Sequence, residues 1–169
     1  MYVFESERFR YRELTGDDAQ FGFDLNSDPE VIQYTGDPPF ASVDEARVFM
    51  DAYTETYRRY RCGRWGMELK STGELVGWCG LKFHPNEQVH DVGYRLFKKH
   101  WGKGYASEAC KRTIEYGFKE MNLARIVAHA RKENIASLRV LVKCGMKVIG
   151  EDKECGGEIF VFEITYDGE

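Results

Sequence analysis

Phe9, Tyr11 and Glu13 alternate with Arg8, Arg10 and Arg12, the period of a strand with one wet face. At Thr15-Gly16-Asp17-Asp18 the pattern becomes that of a helix start, with Ala19, Phe21, Phe23 and Leu25 as core candidates, and Asp28-Pro29 is expected to end or bend that helix. After the loop Tyr34 to Phe40, Ser42-x-x-Glu45 reads as a capping box. Ala46, Phe49, Met50, Tyr53, Tyr57 and Tyr60 then recur at intervals of three and four, with Arg47, Asp51, Glu55 and Arg58 opposite, so a second helix buries an aromatic stripe.

From Trp65 the period returns to that of strands. Trp65 to Lys70 and Leu75 to Phe83 flank the polar turn Ser71-Thr72-Gly73-Glu74, an antiparallel hairpin, and Val89 to Leu96 follows His84-Pro85-Asn86-Glu87 as a third strand. Gly77, Gly80 and Gly93 inside these strands predict bulges or close backbone approach. An amphipathic helix runs from Tyr105 to about Met121, with Ala109, Cys110, Thr113 and Ile114 on its apolar side. It leads to a short apolar strand, Arg125 to Ala130, so the strands on either side of this helix are expected to be parallel neighbours. Asn134-Ile135-Ala136-Ser137 opens another helix, which ends at Lys143-Cys144-Gly145-Met146. Lys147 to Glu151 and Glu158 to Tyr166 close the chain as two strands around the turn Glu154-Cys155-Gly156-Gly157. The expected architecture is one α/β domain over residues 1–169, with a mixed, strongly bent sheet of about seven strands and about four helices.

Composition narrows the function. With 43% hydrophobic and 14% aromatic residues in 169, the chain can bury a real core. A net charge of -4 gives no field that gathers nucleic acid or an anionic membrane, and suits a cationic substrate if anything. No apolar run has the length of a membrane span and Met1-Tyr2-Val3-Phe4-Glu5 lacks an export signal, so a cytoplasmic protein is expected. The five cysteines Cys62, Cys79, Cys110, Cys144 and Cys155 have irregular gaps and read as buried free thiols. His84, His90, His100 and His129 have no metal-ligand spacing, and neither metal nor hydrolytic chemistry is signalled.

The segment that carries chemistry runs from Arg95 to Ala109. Gly102 and Gly104, placed where a strand turns into a helix, expose consecutive backbone N–H groups, and Lys98, Lys99 and Lys103 add charge, so the loop suits a diphosphate as well as an ordinary tight turn. Gly93-Tyr94-Arg95-Leu96, Trp101-Gly102-Lys103-Gly104-Tyr105-Ala106 and Glu108-Ala109, followed by a strand and by Asn134 to Ser137, resemble the GNAT superfamily of acyl-CoA-dependent N-acyltransferases, and most of all its RimJ/RimL-type branch. These matches cover about Glu74 to Met146; elsewhere the resemblance rests on element order.

That resemblance implies a sheet split between its two central parallel strands, with acetyl-CoA entering the split. It implies that amides of about Lys99 to Ala106 hold the pyrophosphate and that the edge of Tyr94, Leu96, Phe97 and Lys98 pairs with the pantetheine arm. Asn134 stands where the family bonds that arm, although it is equally placed to cap its helix. Ser137 stands where the RimJ/RimL-type serine sits by the sulfur. The tyrosine acid of other branches falls here on Leu141, which leaves Ser137 as the local donor to the departing thiolate. Asp91 takes the position of an acidic residue in that branch and is the candidate base, its alternative reading being a solvated strand carboxylate. Glu68 and Glu108 are weaker candidates. Tyr34, Phe40 and Tyr53 are placed near an acceptor, which the resemblance puts among the first two helices and their loop. The expected activity is direct acetyl transfer to a primary amine, either a protein N-terminus, ribosomal proteins included, or a small molecule such as a polyamine, amino acid or aminoglycoside. A non-catalytic acyl-CoA-binding module is the competing class, and either a monomer or a homodimer is compatible with the pattern.

Overall fold

The computed structural model describes residues 1–154 and 157–168, so Cys155 and Gly156 of the expected final turn lie outside the described residues. Eight strands form a single sheet: β1 (Tyr2–Glu5), β2 (Phe9–Arg12), β3 (Arg64–Leu69), β4 (Leu75–His84), β5 (Val89–Leu96), β6 (Arg125–Arg131), β7 (Lys147–Glu154) and β8 (Gly157–Thr165). Their order is β1-β2-β3-β4-β5-β6-β8-β7, with β5 and β6 parallel and the other neighbours antiparallel. The helices are α1 (Ala19–Leu25), α2 (Pro29–Ile32), α3 (Val43–Tyr60), α4 (Tyr105–Lys119) and α5 (Ile135–Lys143).

This is one strand and one helix beyond the expected counts. β1 has only four residues, too few for a clear period, and stays in place because Phe4 stacks on Tyr11 and Tyr116. α2 corrects the reading of Asp28-Pro29: α1 has already ended, the Asp28 carboxylate accepts from the Glu30 N–H at 2.9 Å, and Pro29 starts a new helix. Proline suits that first position because its missing N–H would be unpaired there anyway.

Two residues from the expected wet face of α3 have a definite task. Asp51 Oδ1 accepts from the Gly16 N–H at 2.8 Å and Arg47 donates to the Gly16 carbonyl at 2.8 Å, so α3 clasps the turn before α1. Phe49 departs from the expected buried stripe and is 55% exposed. α4 lays Ala109, Cys110, Thr113 and Ile114 on the sheet over Cys79, Leu81 and Ile126, the centre of the core. Cys62, Cys79, Cys110 and Cys144 are buried free thiols. Among the described residues no helix is long and apolar enough to cross a membrane.

At Gly80 the expected close approach is real, since a Cβ there would lie 1.9 Å from the Gly63 carbonyl oxygen. Backbone cannot step aside as a side-chain tip can, so Gly80→Ala is expected to lose about 1–3 kcal/mol, as overpacking does. Gly150→Ala, with nothing within 4 Å of its Cβ, is expected to stay within about 0.5 kcal/mol of the parent, and urea titration of both variants measures the contrast.

Candidate active site

β5 and β6 share only two register pairs, His90 with Ile126 and Asp91 with Val127. β5 continues to Leu96 and β6 to Arg131, where β6 is paired on its other side by β8. From Val92 onward the edge of β5 that faces β6 therefore has no strand partner among the described residues, and its main-chain groups are open to a ligand.

The glycine loop lies at the end of this gap. A 3₁₀ turn, Lys98–His100, carries the chain out of β5, and the Trp101 indole N–H donates back to the Leu96 carbonyl at 3.1 Å. Gly102 and Gly104 have φ of 75° and 77°, and Gly104 is the N-cap of α4. That left-handed backbone is open to glycine and strained for other residues. Among the described residues the N–H groups of Gly102, Lys103 and Gly104 donate to no backbone carbonyl, while those of Tyr105 to Ser107 form the unpaired first turn of α4. A run of free amides at the positive end of a fifteen-residue helix fits a diphosphate.

The side-chain charge around the loop differs from expectation. Lys98 is bridged to Glu30 at 2.7 Å and Lys99 to Glu74, so only Lys103 of the expected three lacks a carboxylate partner among the described residues. Sequence reasoning missed Arg8, which donates to the Lys103 carbonyl at 3.0 Å and lies 4.7 Å above the Tyr105 ring. Glu108 receives the Arg8 N–H at 2.8 Å and the Ser6 hydroxyl at 2.7 Å, which makes it a strut of the loop. Glu68, the other weaker base candidate, is tied to Tyr2 at 2.7 Å and Arg12 at 3.5 Å, towards the β1 edge.

Across the gap stands the start of α5. Asn134 caps it, its Oδ1 accepting from the Ser137 N–H at 3.3 Å, which leaves the side-chain amide N–H groups for another partner. Ser137 Oγ is 2.8 Å from the hydroxyl of Tyr94, which comes from β5. Burial raises the Tyr94 pKa far more than the Ser137 hydrogen bond lowers it, so the phenol keeps its proton. The resemblance gives Tyr94 a part through its backbone alone; its hydroxyl also stands beside that of Ser137. The period of two along β5, with Val92, Tyr94 and Leu96 on one face, was the available signal. Leu141 is 1% exposed and packs in the core.

On the other face of β5, Asp91 is neither solvated nor free. Its Oδ1 accepts from Arg64 Nη2 at 2.6 Å and its Oδ2 lies 2.8 Å from His84 Nε2, with its side chain 13% exposed. Burial by itself would raise its pKa, but the Arg64 charge and the bond to His84 outweigh it and hold the carboxyl well below the usual range. The free, burial-raised carboxylate needed for a simple base is therefore not what forms. Arg64 also donates to the Gly80 carbonyl at 2.8 Å, and it can cross β5 because Gly93 has no side chain; a Cβ there would lie 2.9 Å from its guanidinium carbon.

Arg64 and Arg95 both lie over the Trp78 ring, at 5.3 and 5.2 Å from its centroid, and Arg95 reaches on to Asn26 at 2.5 Å and Asp37 at 2.8 Å, fastening the loop before α3 to the sheet. Tyr34, Phe40 and Tyr53 line the same cleft as Asp91, Tyr94, Gly104 and Ser137. Phe40, Phe49 and Tyr53 form a row with ring centroids 5.5 and 6.0 Å apart, and the Tyr53 hydroxyl accepts from the Arg64 N–H at 3.1 Å. The cleft measures about 1760 Å³, above the ~300–1,000 Å³ of a single small-molecule site, so it has room for two substrates.

A split sheet with an anion loop at one end and hydroxyl and carboxylate groups on either side describes a scaffold, and the sequence supplies its kinship. Residues 8–147 match the model of the acetyltransferase (GNAT) domain. The chain belongs to the GNAT acetyltransferase family. It is an N-acetyltransferase, and enzymes of this family use acetyl-CoA. It is 34% identical over 151 residues to the N-acetyltransferase YoaA of Bacillus subtilis, spanning 88% of this chain and 84% of that one. Two solved structures share the fold. The ribosomal-protein-S5-alanine acetyltransferase of Vibrio fischeri has a TM-score of 0.81 at 21% identity, covering 98% of this chain and 97% of its own. The spermidine N-acetyltransferase of Vibrio cholerae, in complex with CoA and spermine, has a TM-score of 0.79 at 22% identity, covering 94% and 95%.

Proposed function

We propose that this GNAT enzyme transfers an acetyl group from acetyl-CoA to a primary amine by direct attack, without an acetylated enzyme. One observation carries the reading: the gap between β5 and β6 has free amides at its end and two different polar faces, Tyr94 with Ser137 on one and Asp91 with Arg64 and His84 on the other. The amides of Gly102 to Ala106 would hold the pyrophosphate, a shorter run than the expected Lys99 to Ala106 because the His100 and Trp101 N–H groups already donate to the Phe97 and Lys98 carbonyls, and the β5 edge from Tyr94 to Lys98, together with the Asn134 amide, would hold the pantetheine arm. Acetyl-CoA supplies a thioester whose carbonyl is the electrophile. Tyr94 and Ser137 then stand where a proton can be returned to sulfur, and Asp91 belongs to the group that receives one from nitrogen. Cys79, at 0% exposure with its thiol pushed up to about 12 by burial, is unsuited to being an acetylated intermediate.

For the acceptor we propose a peptide α-amine. The breadth of the cleft and the exposed Phe49 beside Phe40 support an extended chain at its mouth, and an α-amine near pKa 8 is already partly neutral at physiological pH. A small amine is the alternative. Labelled acetyl-CoA incubated with peptides and with a panel of small amines, analysed by mass spectrometry, decides between them. Label on neither, with no free thiol released, would defeat the reading. Ser137→Ala is expected to cut kcat by about 10²-fold, as loss of a general acid does, with acetyl-CoA affinity little changed; parallel loss of affinity would make Ser137 structural.

A further inference from the structure

The role of Asp91 leaves a chemical gap, because a carboxylate with one oxygen on a guanidinium and the other on an imidazole is a poor proton acceptor. The fold places histidines around it. Asp91 sits opposite Lys82 of β4 and Val127 of β6, and His84 and His129 are each two residues beyond those partners, hence on the same face of the sheet. His84 Nε2 lies 2.8 Å from Asp91 Oδ2, while His129 Nδ1 is 3.9 Å from the same oxygen, too far for a direct hydrogen bond.

We propose that His84, oriented by Asp91, takes the proton from the attacking amine. This rests on the acetyl-transfer reading and adds the identity of its base. The tautomer follows from charge: an ionised carboxylate can only accept, so the ring nitrogen facing it, Nε2, carries the hydrogen and Nδ1 keeps its lone pair. No group is within hydrogen-bonding distance of Nδ1 among the described residues; Glu87 Oε2 is 3.9 Å away. The ring is 29% exposed and lines the cleft with Tyr34, Phe40 and Tyr53.

The surroundings suit the task. Asp91 of β5 raises the His84 pKa most, burial lowers it, Lys82 of its own strand lowers it and Glu87 of the following turn raises it, with a raised value as the net result. His90 of β5 is pushed down by burial, and Arg64 of β3 reaches His84 through Asp91. A base above the ordinary histidine value of about 6.5 is better matched to an amine near 8. In the step itself the neutral amine adds to the thioester carbonyl, forming the C–N bond. Its extra proton passes to His84 Nδ1, which then releases it to solvent, the C–S bond breaks, and the Tyr94–Ser137 pair gives sulfur a proton that solvent replaces. One acetyl group and one proton have changed places, with no redox change.

The test compares wild-type, His84→Gln, Asp91→Asn and His129→Gln enzymes in kcat over pH with one acceptor, whose own ionisation is common to all four. Alongside, NMR follows the His84 imidazole in the resting wild-type protein. The wild-type rate should climb as His84 loses its proton, above about pH 6.5. His84→Gln should lower kcat about 10²-fold and abolish that limb, with acetyl-CoA KM little changed and part of the rate restored by added imidazole. Asp91→Asn should move the limb to lower pH, because the charge that raises His84 is gone.

A limb and rate unaltered by His84→Gln, or lost only with His129→Gln, would overturn the proposal while leaving acetyl transfer standing. So would an imidazole that titrates at or below the ordinary value in the wild type. A raised imidazole in a protein that acetylates no amine would instead defeat the acetyl-transfer reading, and the base with it.

Discussion

Arg64→Met should destabilise the protein by about 3–5 kcal/mol at neutral pH, the cost of leaving a buried carboxylate without its cation. Arg64 and Asp91 are 19% and 13% exposed, so solvent screens the pair only weakly. The dependence on pH has a definite sign. The folded Asp91 pKa is depressed, so the pair's contribution is complete above the ordinary aspartate value near 3.9 and is lost as pH falls through the depressed one. The gap between wild type and variant, measured by urea unfolding, should therefore be widest near neutrality and narrow below about pH 4. Turnover should fall as well, since the Arg64 guanidinium fixes the carboxylate that is proposed to orient His84. A uniform gap at every pH would mean that packing against Trp78, and not charge, is what Arg64 contributes.

The double variant Gly102→Ala, Gly104→Ala should weaken acetyl-CoA binding by about 30–700-fold while leaving the fold intact. Space is not the reason: nothing lies within 4 Å of a Cβ at Gly102, and at Gly104 the nearest atom is Arg8 Nη2 at 3.6 Å. Each alanine would have to hold positive φ at about 1–2 kcal/mol, or let the loop turn its amides away from the gap. At 1.4 kcal/mol per tenfold, two such residues account for the range. Lys99→Ala, which removes an exposed partner of Glu74, should change affinity far less, because in the proposed binding mode main chain and not lysine charge holds the anion. Isothermal titration with acetyl-CoA separates the two outcomes.

Both effects come from the part of the molecule that the sequence describes unevenly. The hairpin around Gly73, the crossover through α4 and the glycine loop are local patterns, and each forms as its residues indicate. Of the partners of Asp91, His84 is near in sequence across the β4–β5 hairpin, but Arg64 is 27 residues away and reaches it over Gly93, which no period along either strand announces. Distance also hides Arg8, 95 residues from the carbonyl it holds in the loop. Tyr94 belongs to a sequence motif, yet its hydroxyl meets Ser137 only once α5 is set across the gap. Phe49 follows the helical period faithfully and still faces solvent, because the period names a face of α3 and not what covers it. β1 and α2 escaped because four residues are too short for a period to show.

Titration of ¹⁵N-labelled protein with coenzyme A, followed at the backbone amides, examines the shared premise directly. The amides of Gly102 to Ala106 should shift most and saturate together, with Tyr94 to Lys98 and Asn134 to Ser137 moving on the same isotherm. Saturable binding that leaves Gly102 to Ala106 unmoved would place the nucleotide elsewhere and contradict the account.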